Sequence, residues 1–249
     1  MSRKPRQTQI TNSQVYHVLN RGILRQTIFH DDQDARAFLQ IISRYKEKAN
    51  FEIYHWCLMP NHYHFLAKFA DGFLLSKVIG ACQQIYVLYY HRKYNTAGKL
   101  FQNRFKSQAI EQEKYFFACA RYIELNPKRA GLVSLPWDWK WTSARHYILS
   151  EKDDVVSLNP LWKESFQNLD NYRKWILDSH GADIQREQEL FRSSTSIVGS
   201  VEFRRGQTMQ DGRAVPIRLG RPPKKNRSYL SGKQIVMKSV PTQCSLDII

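Results

Sequence analysis

The sequence predicts an α+β fold of the ferredoxin-like split type, a β-α-β-β-α-β order in one antiparallel sheet, with an added helix and a C-terminal helical extension. Three observations carry this: four short strand-like runs, two long helical-period segments placed between them, and a third such segment immediately after the fourth run.

Tyr16 to Asn20 reads as the first strand, ended by Arg21-Gly22. Asp31, Asp32 and Asp34 offer helix caps, and Ala37, Phe38, Ile41, Ile42 and Tyr45 recur at helical spacing, so a helix is expected over about 34–48. Phe51 to Leu58 and His62 to Phe69 are two strands joined by the Pro60-Asn61 turn, an antiparallel hairpin. Leu75, Val78, Ile79, Cys82, Ile85, Tyr86 and Tyr89 give a second helix over about 74–91, and a strand is expected near 105–111. The third helix runs from about 113 to 125, stopped by Pro127. Beyond Gly131, Trp137, Trp139 and Trp141 lead into a short helix over 143–149, and further helices are expected over 161–177 and 182–191. The organisation expected is a basic arm (1–13), a main domain (14–150), a helical extension (151–205) and a basic flexible tail (206–249).

The chain has 249 residues, 42% hydrophobic and 13% aromatic, enough for a sizeable core. No apolar run is long enough to span a bilayer, no secretory signal is visible, and a cytosolic, nucleoid-associated protein is expected. Cys57, Cys82, Cys119 and Cys244 show no CxxC spacing, which excludes the usual zinc ribbons and gives no disulfide framework. Lys and Arg number 38 against 22 Asp and Glu, a net charge of +16, and a surplus of this size favours a polyanion such as nucleic acid.

His62 and His64 stand two apart on a strand, so their imidazoles share one face while Tyr63 and Phe65 point to the other. Two imidazoles side by side suit a divalent metal. Alone, an H-x-H pair is as compatible with surface histidines or a zinc site. Tyr122 and Asn126, at i and i+4, share a helix face, so the Asn126 amide can complete a three-point metal site with the Tyr122 hydroxyl beside it. The plainer alternatives are a core tyrosine and an asparagine acting as a helix C-cap before Pro127.

Met59-Pro60-Asn61-His62-Tyr63-His64-Phe65-Leu66 resembles the histidine–hydrophobe–histidine motif of the HUH tyrosine transposases, and the run from Tyr122 to Val133 resembles their nucleophile helix and its exit. More narrowly the chain resembles the REP-associated tyrosine transposases, in which the residue four after the tyrosine is usually Asn. Asn20-Arg21-Gly22, the run from Phe101 to Lys106 and the run from Trp141 to Arg145 also match; Lys128 departs from the usual Val. The resemblance covers roughly residues 14–225.

It implies an HUH nuclease fold and a single-strand DNA endonuclease and strand transferase that cleaves beside a hairpin repeat. Tyr122 would be the nucleophile of a 5′-phosphotyrosine intermediate, and His62, His64 and Asn126 would hold Mg²⁺ or Mn²⁺. Arg104, Lys106, Lys128 and Arg129 are the expected phosphate contacts near the site. The partner implied is hairpin DNA with an adjacent single strand, no membrane is involved, and the working state is expected to be a monomer. The stretch from Arg204 to Arg227 holds eight basic residues against Asp211, and Arg218, Arg221, Lys224 and Lys225 within it are further candidate DNA contacts, Gly220-Arg221-Pro222 resembling an AT-hook core. The tryptophans can stack bases, although packing into the core is the stronger reading. Competing readings are a replication initiator or relaxase, a hairpin-binding protein without catalysis, and a zinc-dependent RNA-binding module.

Overall fold

The computed structural model describes residues 15–70, 72–178, 181–192 and 197–207. The expected N-terminal arm, and Arg218, Arg221, Lys224 and Lys225 of the basic tail, lie outside the described residues.

Strand β1 (Val15–Arg21) leads through a 3-10 turn at Ile23–Arg25 to helix α1 (Asp32–Ala49). Asp31 caps α1, its carboxylate accepting from the Asp34 amide at 2.9 Å, and the helix ends where Asn50 turns left-handed at φ 47°. Strands β2 (Glu52–Met59) and β3 (His62–Lys68) form the expected hairpin. Helix α2 (Gly72–Tyr94) precedes β4 (Lys106–Ile110), and α3 (Gln112–Glu124) follows it. The sheet order β2-β3-β1-β4 is that of the split β-α-β-β-α-β pattern, with every one of those pairings antiparallel.

Period-two alternation sends β-strand side chains to two separate cores. Tyr16, Val18, Tyr63, Phe65 and Ala67 bury against Phe38, Ile41 and Ile42 of α1 and Leu75, Val78, Ile79, Cys82 and Tyr86 of α2. Val15, Cys57, Met59, Leu66 and Ile110 bury on the opposite face against Phe116, Cys119, Ala120 and Ile123 of α3. The two crossover helices therefore cover one face, and α3 covers the other.

After α3 come a short turn of helix, α4 (Asn126–Arg129), a 3-10 turn at Pro136–Asp138, and α5 (Ala144–Leu149). The segment from Trp139 to Ser143 runs along β2. The Leu58 amide donates to the Trp141 carbonyl at 2.9 Å and the Ser143 amide to the Trp56 carbonyl at 2.9 Å. Trp139 Nε1 donates to the Leu58 carbonyl at 2.8 Å, and Trp141 Nε1 to Asp32 at 3.2 Å. Trp139 and Trp141, and Trp137 just before the segment, are all half-buried, so they pack the fold as the stronger reading held.

The expected helix over 161–177 is two helices, α6 (Pro160–Phe166) and α7 (Leu169–Leu177). Gln167 sits at φ 60° between them and the Asn168 side chain caps the second, accepting from Asn171 at 2.9 Å. Their Trp162, Phe166, Tyr172 and Ile176 form a third core with Leu125, Ala144, Tyr147 and Ile148. Helix α8 (Gly181–Arg192) returns to α3. A two-residue strand, β5 (Ile197–Val198), joins β4 in parallel, making a mixed five-stranded sheet, and α9 (Val201–Gly206) follows.

Candidate metal and tyrosine site

The site lies on the α3 face of the sheet and follows from register. One row across the strands reads Cys57, His64, Leu19 and Lys106; the next places Leu66, His17 and Gln108 side by side. Residues paired across strands share a face, so His64, His17, Gln108 and Lys106 all project towards α3, and His62 follows at the end of β3 opposite Arg21.

The rings of His62 and His64 stand 5.1 Å apart at 87°. Behind them is a buried relay: His64 Nδ1 meets His17 Nε2 at 2.9 Å, and His17 Nδ1 meets Gln108 Oε1 at 2.8 Å. His62 Nδ1 meets Asn61 Oδ1 at 2.6 Å. Burial pushes the pKa of His62 and of His17 down to about 4 and that of His64 well below the ordinary imidazole range.

Tyr122, on the last turn of α3, reaches this cluster. Its ring lies 5.7 Å from that of His64, edge-on, and 5.7 Å from that of His17. The side chain is buried, covered by Phe191 of α8 with ring centroids 5.1 Å apart. Burial raises the phenol's pKa, opposed by the charges of Arg129 and Arg192 and by a hydrogen bond from Arg192. The Arg129 guanidinium lies 4.5 Å over the Tyr122 ring and donates through Nη2 to the Tyr122 carbonyl. Its Nη1 is buried without a hydrogen-bond partner, and burial, the largest influence on it, brings the pKa of Arg129 down to about 10.

Asn126 is not on α3. Glu124 is the last residue of α3, and Asn126 opens α4, where its Nδ2 donates to the carbonyls of Tyr122 at 2.8 Å and Ile123 at 3.3 Å. It therefore ends the helix, the plainer alternative, because Pro127 has no amide to continue the ladder. With Nδ2 committed to carbonyls, Oδ1 is the amide's acceptor atom.

The structure thus brings His62, His64 and Tyr122 together with Arg129, and engages Asn126 at the helix end. Lys106 is exposed on the same face, two strand spacings from His64, about 10 Å. Arg104 and Lys128 are exposed. Sequence reasoning missed His17, Gln108, Arg21 and the two α8 residues.

Among the described residues, no three His, Cys, Asp or Glu side chains gather as a metal cluster. Two neutral imidazoles on one strand face are a different donor set, one that suits a divalent ion with open positions. The unpartnered Nη1 of Arg129 marks where an anion gains most, since a buried donor left unpaired is unfavourable. The residues present fit a divalent ion and a phosphate.

The model of the family described as "Transposase IS200 like" matches residues 10–126, a span holding His62, His64, Tyr122 and Asn126. A solved structure described as a REP-associated tyrosine transposase bound to a REP hairpin is 20% identical, covers 64% of this chain and 93% of its own, and gives a TM-score of 0.46. No curated protein matches the chain.

Proposed function

We propose, from the match of residues 10–126 to the family model described as "Transposase IS200 like", that the chain is a metal-dependent single-strand DNA endonuclease and strand transferase of the REP-associated tyrosine type. The observation that carries this reading is the 5.7 Å contact of Tyr122 with His64, one of two imidazoles sharing a strand face.

His62 and His64 would hold the ion with the Asn126 amide oxygen as third donor. A bound Mg²⁺ or Mn²⁺ would polarise the scissile phosphate and steady the departing 3′ oxygen. The protein's own groups do the rest. Arg129 offers Nη1 to a phosphate oxygen and, with Arg192, its charge favours loss of the Tyr122 proton. The Tyr122 oxygen attacks phosphorus, the P–O3′ bond breaks, and its electron pair leaves on the 3′ oxygen. The product is a 5′-phosphotyrosine that stores the phosphodiester energy for a second 3′ hydroxyl to use in rejoining. Lys106, Arg104 and Lys128, on the exposed surface, would steer the strand by its phosphates. The substrate in this reading is a hairpin repeat with an adjacent single strand.

The test is a covalent adduct. Incubated with end-labelled hairpin oligonucleotides and Mn²⁺, the protein should give an SDS-stable band that Tyr122→Phe abolishes and that His64→Ala abolishes while hairpin binding persists. No adduct on any strand would favour a hairpin-binding protein without catalysis. An adduct from Tyr122→Phe would assign the nucleophile to another residue.

A further inference from the structure

The two proposed ligands share a feature that the metal reading alone does not require: each has its Nδ1 engaged by an acceptor on another side chain of the protein. For His62 the acceptor is Asn61 Oδ1, and the amide cannot be turned round, because Asn61 Nδ2 donates to the Arg25 carbonyl at 3.1 Å. Nδ1 of His62 therefore carries the proton, and Nε2 keeps its lone pair. For His64 the same outcome is reached through a relay. Gln108 Oε1 can only accept, so Nδ1 of His17 carries the proton facing it; Nε2 of His17 then accepts from Nδ1 of His64, and Nε2 of His64 keeps its lone pair.

We propose that Asn61 on one side and the His17–Gln108 pair on the other form a frame that sets both ligand histidines in the Nδ1–H tautomer, presenting two Nε2 lone pairs to one ion. This rests on the metal reading of the site. His17 acts as a positioning residue through its acceptor nitrogen. The arrangement has a single alternative, in which His17 donates from Nε2. His64 would then hold its proton on Nε2 and could not bind a cation. Gln108 selects between the two. His64, His17 and Gln108 are all buried, His17 fully so. Hydrogen-bond partners of this kind commonly contribute 10- to 100-fold to metal affinity.

The experiment uses the full chain with selectively ¹⁵N-labelled histidine and no metal, His17 and His64 resonances being assigned by substitution. Long-range ¹H–¹⁵N spectra should show Nδ1 protonated and Nε2 bare at both His62 and His64, and Gln108→Leu should move the His64 proton to Nε2. Mn²⁺ binding is then followed through loss of the aqueous Mn²⁺ paramagnetic resonance signal. Gln108→Leu and His17→Phe should weaken binding about 10- to 100-fold, and His17→Gln, which keeps an acceptor near the same place, should restore it to within about threefold. A bare Nδ1 on His64 in the wild type, or wild-type Mn²⁺ affinity in a folded Gln108→Leu protein, overturns the frame while leaving the metal reading standing. A wild-type protein that leaves the Mn²⁺ signal untouched overturns the metal reading and the frame with it.

Discussion

Arg129 holds its guanidinium over the Tyr122 ring, donates to the Tyr122 carbonyl, and keeps Nη1 buried and unpartnered. An unpaired buried donor of this type forgoes about 1–3 kcal/mol, which a phosphate oxygen would recover during the reaction. Arg129→Ala should slow adduct formation about 100-fold, the scale of losing one preorganised donor to a developing charge. Hairpin affinity should stay within a few-fold, and single-turnover cleavage beside a filter-binding titration reads both. Arg129→Lys should recover little, since an ammonium lacks the planar fork; equal rates in wild type and Arg129→Ala would remove this residue from the chemistry. At this scale much of the site was legible. Alternation along a strand put His62 and His64 on one face, and Tyr122 met them. Asn126 stands past the end of α3, which closes at Glu124, and its Nδ2 caps the Tyr122 and Ile123 carbonyls. His17 and Gln108 were invisible because their meeting depends on the register of β1 with β3 and β4, and a single sequence does not encode which residues of distant strands stand opposite.

Between elements, the joint of α1 with α2 turns on Asp34, whose buried carboxylate accepts from the His30 amide at 2.8 Å, from Tyr94 at 2.7 Å and from Lys93 at 2.7 Å. Burial pushes its pKa up, and the bonds from Lys93, Tyr94 and the His30 amide outweigh that, so the folded value lies below the ordinary one. A depressed carboxylate contributes stability that is complete above its unfolded pKa, about 4, and is lost as pH falls through the folded value. Asp34→Asn should lower stability at neutral pH by about 2 kcal/mol and flatten the loss on acidification below about pH 4. Urea titrations at pH 7 and pH 3 would measure both, and equal midpoints at pH 7 would refute the assignment. The six elements β1, α1, β2, β3, α2 and β4, and α3 after them, were readable from period and caps. The break at Gln167 was not, because the apolar spacing on its two sides reads as continuous; nor was β5, whose two residues are too few to show alternation.

Across the whole molecule, the part beyond Ser150 is tied to α3. Glu124, two residues after Tyr122, is buried and accepts from Ser143 Oγ at 2.8 Å and from the Tyr172 hydroxyl at 2.8 Å, and contacts His55 Nδ1 at 2.8 Å. Ending the chain at Ser150 would remove Tyr172 and expose Leu125, Tyr147 and Ile148. Uncovering that core should lower the melting temperature by 10 °C or more, at about 4 °C or less per kcal/mol for a chain of this size, or leave the product insoluble. A truncated protein melting with the full chain would show α6 to α9 and β5 to be dispensable for the fold.

The bonds made along β2 and β4 carry a further consequence, for behaviour at high concentration. On the outer side of β2, Tyr54 gives its carbonyl to the Tyr147 hydroxyl, Trp56 uses both backbone groups on Ser143, and Leu58 uses both on Trp141 and Trp139. On the far side, β5 takes the last two residues of β4. Open sheet margins are templates for a neighbour's strand, and here the chain itself takes up the outer side of β2 and the end of β4. Sheet-to-sheet joining of copies is thereby discouraged. Light scattering should report one chain per particle of 29.4 kDa up to high protein concentration, and a stable two-chain species would mean that copies associate through some other surface.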